Sequence, residues 1–408
     1  MTASAPVFDI VIAGAGAAGL ALAAAVTQAL GAGASVALVD PALGRTPANP
    51  PLRTVAIAEG PRRLLDEIGA WESIEPNAQP VLSMEIMDGR VRDAVRLAHL
   101  HFDAREGEPL AHMAFNEDVT AALLSLCEKL DVTRFVASVE SWRPGRHTGA
   151  LTLTDGAMLR ARLAVAADGA SSKLARLADV QVLGWDYNQA GLVATIAHER
   201  DHEGRAEQHF LPAGPFAILP LKGRQSSIVW NESPADARAI VALDPEEILH
   251  KLGPRFTARL GEIRLASRAE AFPFRFQIAR RFVADRLALV GDAAHVVHPL
   301  AGQGLNLGFR DVAALAEAIV GAMRLGLDPG APDPLAVYQR ARRFDVAASG
   351  LGMDAMNRLF SNDLAPLRFV RDLGLRLVDR VPRLKNRLVI EASGAGNSVP
   401  RLLRGLPL

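Results

Sequence analysis

A single cysteine, Cys127, is all the thiol chemistry this 408-residue chain carries. One thiol closes no internal disulfide and builds no cysteine-rich metal site, which fits a reducing compartment. Cys127 lies in the helix-like run Ala121–Glu128 and reads as a small core residue rather than a nucleophile. An excess of one charge sign is also missing. The 45 Lys+Arg are matched by 45 Asp+Glu, so no global field favours nucleic acid. The His/Glu spacing of a metalloenzyme motif is absent, and no metal is expected. There is no internal repeat, no low-complexity segment and no run long and apolar enough to span a bilayer. The segment nearest to one, Ile10–Val26, is free of charge but broken by three glycines, preceded by Asp9 and without a basic flank, so it reads as neither a span nor a secretory signal. The expected location is cytoplasmic, or peripheral at the inner membrane face.

What is present is a globular composition. Half of the residues are apolar and 22% are charged, and the length suits two or three domains around a large core. Phe8–Ala13 reads as a strand, Leu20–Leu30 as an alanine-rich helix and Ser35–Asp40 as a second strand, together a β-α-β unit. Pro41–Leu52 is proline-rich and reads as a loop. Arg62–Ile68 and Asn116–Leu130 have helical spacing, whereas Val132–Trp142 and Leu151–Leu153 look like strands. Leu163–Ala167 is apolar throughout, as in a strand buried on both faces. From Val182 to Ala266 the character changes. Strand-like runs at Gly191–Ala197, Phe216–Leu221 and Ser227–Trp230, with a helix near Pro245–Leu252, read as an inserted antiparallel sheet. Arg286–Val290 is another buried strand, Leu305–Leu325 a long helix, and the remainder from about Leu335 is helical and arginine-rich.

Three motifs carry chemistry. The first is Gly14-x-Gly16-x-x-Gly19 between a strand and a helix. Gly14 permits the tight turn, Gly16 lets backbone approach a pyrophosphate and Gly19 lets the helix pack on the strand. The helix start, with Ala17 and Ala18, offers free N–H groups and partial positive charge to phosphate. Asp40 ends the second strand 21 positions after Gly19, where an acid accepts from the ribose of an adenine dinucleotide. The pattern points to an ADP moiety without separating FAD from NAD, and a solvated strand end is the bland alternative for Asp40.

The second motif separates them. Gly291-Asp292-Ala-Ala-His295 follows a strand, and Pro299-Leu-Ala-Gly302-Gln303-Gly304-Leu305-Asn306 opens a long helix. Asp292 suits the ribityl hydroxyls of a flavin. Glycines at the helix start let backbone N–H groups meet a flat ligand edge, and the helix dipole would stabilise negative charge on a reduced flavin. The third motif, Asp168-Gly169-Ala-Ser171-Ser172, ends the apolar run and would be a simple turn if it stood alone.

These motifs, in this order, resemble the group A flavoprotein aromatic hydroxylases, the family of para-hydroxybenzoate hydroxylase. Within that family the chain is most similar to the ubiquinone-biosynthesis hydroxylases that act on 2-polyprenylphenols. The closer likeness rests on Arg53–Ala58 with Leu64–Trp71, Trp185–Gln189, Gly214–Leu221, Val229-Trp230, His298–Asp311 and Arg358–Phe360. The resemblance implies an α/β fold. A Rossmann-like FAD-binding domain (1–80, 108–181 and 267–334) would carry an inserted antiparallel substrate domain (81–107 and 182–266) and a helical C-terminal region (335–408). It implies an FAD-dependent monooxygenase that hydroxylates a polyprenylated phenol with O2 through a flavin C4a-hydroperoxide. It places Arg53 near the flavin and ties Asp168 and Gly169 to FAD and reduced nicotinamide. Ala58 stands where this subfamily commonly has serine. Asn116, a cofactor-side position, stands where the hydroxybenzoate enzymes have arginine.

The protein's task in such chemistry is to position the ring, exclude water and donate to the flavin. His298, Pro299 and Gln303 are the candidate positioning residues of the flavin loop, and His295 or His298 could tune a proton transfer. A second dinucleotide motif is absent, so electrons come either from transiently bound NAD(P)H or from a protein donor. From Arg340 onward 13 Lys/Arg and six Asp/Glu are interleaved with apolar residues. This is either a solvated helical face or a surface for anionic membrane lipid and ubiquinone-biosynthesis proteins. A hydroxylase of another aromatic substrate and a flavin-binding scaffold subunit of a quinone-biosynthesis complex are the competing readings. A halogenase is disfavoured, because its Trp-x-Trp-x-Ile-Pro motif is absent.

Overall fold

The computed structural model describes residues 5–44, 53–88, 98–104, 108–211, 213–256, 258–299, 302–360, 393–394, 396 and 399–408. The apolar run Val7–Ala13 forms the centre of the first sheet, with Ile10, Val11 and Ile12 shut off from solvent. It pairs parallel with Val36–Val39 on one side and Met158–Ala166 on the other. Parallel neighbours need a crossover, and helix α1 (Ala17–Leu30) supplies it. Among the described residues this sheet has eight strands. Leu287–Leu289 and Val283–Ala284 extend it beyond Met158–Ala166, and Thr133–Phe135 lies beside Val36–Val39. The expected single strand over Val132–Trp142 is two: Thr133–Phe135 joins the parallel sheet, while Val139–Arg143 pairs antiparallel with Gly149–Leu153. Each is held by different partners, so the chain bends between them.

Helices α2 (Glu59–Glu67), α3 (Trp71–Ile74) and α4 (Asn116–Lys129) follow. Helix α2 starts at Glu59 rather than at the predicted Arg62, because Pro61 is tolerated in a first turn whose N–H groups lack helical partners anyway. Cys127 is buried in α4, where its Sγ donates to Leu20 O at 3.4 Å and burial pushes the thiol up to about 12. Helix α5 (Lys173–Leu177) follows the Asp168 turn.

The second sheet has nine strands among the described residues. Its centre is one long strand, Val182–His198, with Gln225–Glu232 on one side and Glu270–Ala279 on the other. Gly214–Leu221, Arg205–Leu211, Ser83–Asp88 and Ala98–Asp103 continue it. Glu270–Ala279, assigned by residue number to the cofactor domain, pairs in this sheet. Helices α6 (Pro234–Val241) and α7 (Pro245–Leu252) cover its outer face around Ile196, Phe216, Ile228, Trp230 and Leu252. The sequence reading did not foresee α6, although Ser233 caps it by accepting from Asp236 N. A three-stranded sheet of Thr54–Ile57, Ala111–Phe115 and Gln79–Val81 touches the inner face, with Thr54 Oγ1 2.7 Å from Ser227 Oγ.

Helix α8 (Gln303–Arg324) packs on α1 through small residues: a Cβ on Gly308 would lie 3.5 Å from Gly291 Cα and 3.9 Å from Ala18 Cβ. Helix α9 (Pro332–Phe360) ties the two large sheets together. Tyr338 Oη donates to Leu289 O at 2.6 Å, and Asn357 Nδ2 donates to Gln189 Oε1 at 2.9 Å. The arginine-rich stretch 361–392 lies outside the described residues.

Candidate functional site

The first glycine turn is built from backbone constraints. Gly14 has φ +113°, and a Cβ there would lie 2.2 Å from Ala167 O, so only glycine fits. Gly14 N donates to Val39 O at 2.9 Å. The Asp40 carboxylate accepts from Ala15 N at 2.8 Å and from Ala42 N at 2.7 Å. Asp40 is therefore a brace for the turn rather than a solvated strand end. A Cβ on Gly16 would have no atom of the described residues within 4 Å. No side chain caps α1 and its first turn holds no acid, so the first N–H groups point outward without a partner from the helix.

The second turn is built around a buried carboxylate. Asp311, on α8, accepts from Gly291 N at 2.9 Å, from His295 Nε2 at 2.6 Å and from Arg342 Nε at 2.7 Å. Burial alone would raise this carboxyl, but the opposing charges of His295 and Arg342 hold it below its ordinary value. Gly291 takes φ +58° and Gly302 φ +63°. Asn306 spends its side chain inside the protein: Oδ1 accepts from Ala58 N at 2.9 Å, while Nδ2 donates to Ala56 O at 2.8 Å and to Gly302 O at 3.1 Å. Gly304, like Gly16, has open space where a Cβ would stand, and α8 lacks both a side-chain cap and a first-turn acid. Leu305 and Gln303 lie in that turn, half-buried.

Asp292 and Pro299 are exposed. The surrounding protein still penalises charge on Asp292 and raises its carboxyl, although Arg53 and Arg275 pull the other way. The Arg53 guanidinium lies 3.7 Å over the Phe272 ring, and its carbonyl accepts from Asn116 N at 2.8 Å. Asp168 accepts from Ser172 Oγ, from Lys173 N at 2.8 Å and from Leu174 N at 3.2 Å, so its carboxylate holds the start of α5. Gly169 takes φ +81° beside it.

His298 is 1% exposed, and neither ring nitrogen has a hydrogen-bond partner among the described residues. Its ring sits edge-on to Tyr187 at 5.0 Å and to Phe274 at 4.9 Å. Burial pushes His298 down to about 4, only partly opposed by Asp354, so it is neutral at pH 7. Burial also raises the Tyr187 hydroxyl, and the Asp354 carboxylate adds to that. Sequence reasoning assigned no role to Asp311, Arg342, Phe272 or Phe274. Their partners lie far away in the chain and leave no spacing to read.

Two uncapped helix starts, open space among the described residues at Gly16 and Gly304, and the exposed Asp292 suit a long anionic dinucleotide with a flat ring at one end. The arrangement defines a dinucleotide-dependent oxidoreductase. The family described as FAD binding domain matches residues 7–347. The chain is 40% identical to the ubiquinone hydroxylase UbiL of Rhodospirillum rubrum, over 98% of this chain and 94% of that protein. It is 34% identical to the 3-demethoxyubiquinol 3-hydroxylase of Escherichia coli, over 95% and 98%. Among solved structures, the p-nitrophenol 4-monooxygenase PnpA of Pseudomonas putida superposes with a TM-score of 0.77 at 19% identity, covering 97% of this chain and all of that one. PqsL of Pseudomonas aeruginosa gives 0.74 at 23% identity, covering 90% and 99%. The chain belongs to the FAD-binding-domain family, within the branch of the ubiquinone-biosynthesis FAD hydroxylases.

Proposed function

We propose that this protein is an FAD-dependent monooxygenase that hydroxylates the aromatic ring of a polyprenylated phenol in ubiquinone biosynthesis. The observation that carries the reading is the nearly end-to-end relationship to the Rhodospirillum rubrum and Escherichia coli hydroxylases. Gly14, Gly16, Ala17, Ala18 and Gly19 would hold the FAD pyrophosphate, and Asp40 its ribose. Asp292 and Arg53 would meet the ribityl side. Gly302, Gly304, Leu305 and the backbone of Asn306 would meet the ring edge, with Asn116, Asp168 and Gly169 at the margins. We divide the chain accordingly, with 1–80, 108–181 and the later part of 267–334 around the cofactor, 81–107 and 182–266 around the substrate, and 335–408 as the C-terminal region.

When bound, FAD supplies the activation of O2 that lets one oxygen atom pass to an electron-rich ring. The protein's own residues prepare that ring. Neutral His298 can accept a hydrogen bond from the phenolic hydroxyl and so orient the ring. Pro299 and Gln303 would shape the loop that presents it, and the Tyr187 and Phe274 rings pack edge-on against His298 and keep water from it. Electrons would come from NAD(P)H or a protein donor. No helix among the described residues is long and apolar enough to cross a membrane. Helix α9 nevertheless presents Val337, Phe344 and Leu351 to solvent beside exposed Arg340 and Arg343. That surface suits shallow attachment to anionic lipid, from which a lipophilic phenol would be taken.

The test is complementation. The chain is expressed in bacteria lacking their own ubiquinone hydroxylases, and polyprenylphenols are identified by mass spectrometry. Restored ubiquinone, or a shift to a later intermediate, is expected. Flavin-loaded protein that changes nothing would point instead to another aromatic substrate or to a scaffold. Flotation with anionic vesicles tests the membrane surface, and no binding at moderate salt removes it.

A further inference from the structure

A chain end usually frays unless something ties it down. This one is tied. Leu402 and Leu403, in the turn Arg401–Arg404, are 2% and 1% exposed and join the core that holds α1 and α8. Arg401 N donates to Glu317 Oε2 at 3.0 Å, and Arg324 Nη1 donates to Leu408 O at 2.8 Å, so the tail is pinned along α8. Upstream, Gly394 meets the supports of two cofactor turns. A Cβ on Gly60 would stand 2.4 Å from Gly394 O, and one on Gly394 would stand 2.8 Å from Arg310 Nε. Each contact begins a path to a turn. Gly60 lies in the first turn of α2, and Ala58, which flanks that helix, donates its N–H to Asn306, whose side chain holds Gly302 O. Arg310 donates to Asp345 at 3.1 Å, and Asp345 is ion-paired with Arg342. Arg342 in turn donates to Asp311, which accepts from Gly291 N.

We propose that the docked C-terminal tail is a positioning element of the cofactor site: through Gly394 it holds the Gly291 and Gly302 turns in their ligand-binding geometry, so flavin retention depends on the tail. This rests on the assignment of those turns to FAD. One path runs through backbone and an amide side chain, the other through charges of alternating sign. Neither gives easily. A carbonyl pressed against a helix glycine has no rotamer to turn aside, and a buried ion pair keeps its spacing because a loosened charge loses its compensation. The tail, in contrast, is a terminal segment. It can leave the surface of α2 and α8 while both large sheets stay folded, and its release slackens both turns together. The coupling is reciprocal, so a tail that tightens flavin binding is itself held more tightly when flavin is bound, by the same factor.

The experiment measures FAD affinity, from the change in flavin fluorescence, for wild type, for the chain ended at Ser398 and for Gly60→Ala. Hydrogen exchange of residues 399–408 is followed in wild type with and without FAD. None of the changes touches a residue assigned to the flavin. Alanine ordinarily favours a helix over glycine, so a loss in Gly60→Ala reports the pressed contact with Gly394. Each variant should bind FAD about tenfold or more weakly, and FAD should slow exchange of the wild-type tail by a similar factor. Combining the two changes should add less than about twofold, because both act through one joint. A tail that only adds stability would lower the melting temperature of the flavin-free and flavin-loaded protein equally and leave FAD affinity unchanged. That result overturns the proposal, as does tail exchange that ignores FAD. If the shortened chain does not fold, Gly60→Ala and the wild-type exchange carry the test. Wild type that binds no FAD overturns the assignment of the turns as well. Wild type that shows the tail dependence yet hydroxylates no phenol overturns the hydroxylase reading alone.

Discussion

Asp311 and His295 share a hydrogen bond of 2.6 Å between side chains that are 0% and 1% exposed. The same carboxylate accepts from Gly291 N and from Arg342. A residue of α8 thus sets the turn that presents Asp292, and a residue of α9 locks it from behind. Removing the charge should loosen the turn and leave Arg342 with Asp345 as its charged partner and Leu307 O as a further acceptor. Asp311→Asn should cost about 3 kcal/mol, toward the low end for breaking a buried pair because Asp345 remains. Thermal unfolding of the flavin-free protein checks the cost, and flavin content per chain checks the turn. Unchanged values for both would show that the network does not hold the loop.

Gly14 and Gly16 should respond in opposite ways. Gly14→Ala places a Cβ against Ala167 O in a left-handed backbone. It should destabilise the protein by about 1–3 kcal/mol from strain alone. Gly16→Ala adds a Cβ with no atom of the described residues within 4 Å and should leave the melting temperature of the flavin-free chain nearly unchanged while weakening flavin binding. Melting curves and flavin stoichiometry on the pair separate a structural glycine from a ligand-facing one.

The pH dependence of stability carries a signature of His298. Its ordinary value is 6.5 and burial pushes it down to about 4. The unfolded chain therefore binds more protons than the folded one between these values. The contribution is fully present above pH 6.5 and is lost as pH falls toward 4, with a slope of at most about 1.4 kcal/mol per pH unit. His298→Phe should remove that component, whereas acid loss from Asp311 sets in only below its ordinary 3.8. Denaturant midpoints at intervals from pH 7.5 to 4 would show it, and parallel curves for the two proteins would refute it.

Asn306 is expected to be a structural residue rather than a side-chain ligand. Its three hydrogen bonds join the α8 start to Ala56 and Ala58. Asn306→Leu should cost about 2–3 kcal/mol, roughly one per bond, and flavin affinity should fall through displacement of the Gly302 turn. A variant with native stability and weakened flavin binding would instead place the amide on the ligand.

Much of the cofactor layer was legible in the sequence because its determinants are local. A glycine with positive φ, an apolar strand buried on both faces and an uncapped helix start each impose a residue type at a fixed offset, and Gly14, Gly16, Leu163–Ala167 and Gly302–Asn306 show it. Asp40 was legible as a position, but its bonds to Ala15 and Ala42 were not. The C-terminal helix was legible as a helix, yet its part in linking the two sheets through Tyr338 and Asn357 was not.

The sequence by itself determined the order of strands and turns along the chain and the residue types that can face a dinucleotide. Those follow from backbone sterics and periodicity, which act over a few residues. Only the tertiary structure decided that Asp311 reaches Gly291, that Arg53 stacks on Phe272, and that His298 packs between Tyr187 and Phe274. Those contacts join segments up to more than two hundred residues apart. They depend on sheet register and helix packing, and no spacing along the chain encodes either.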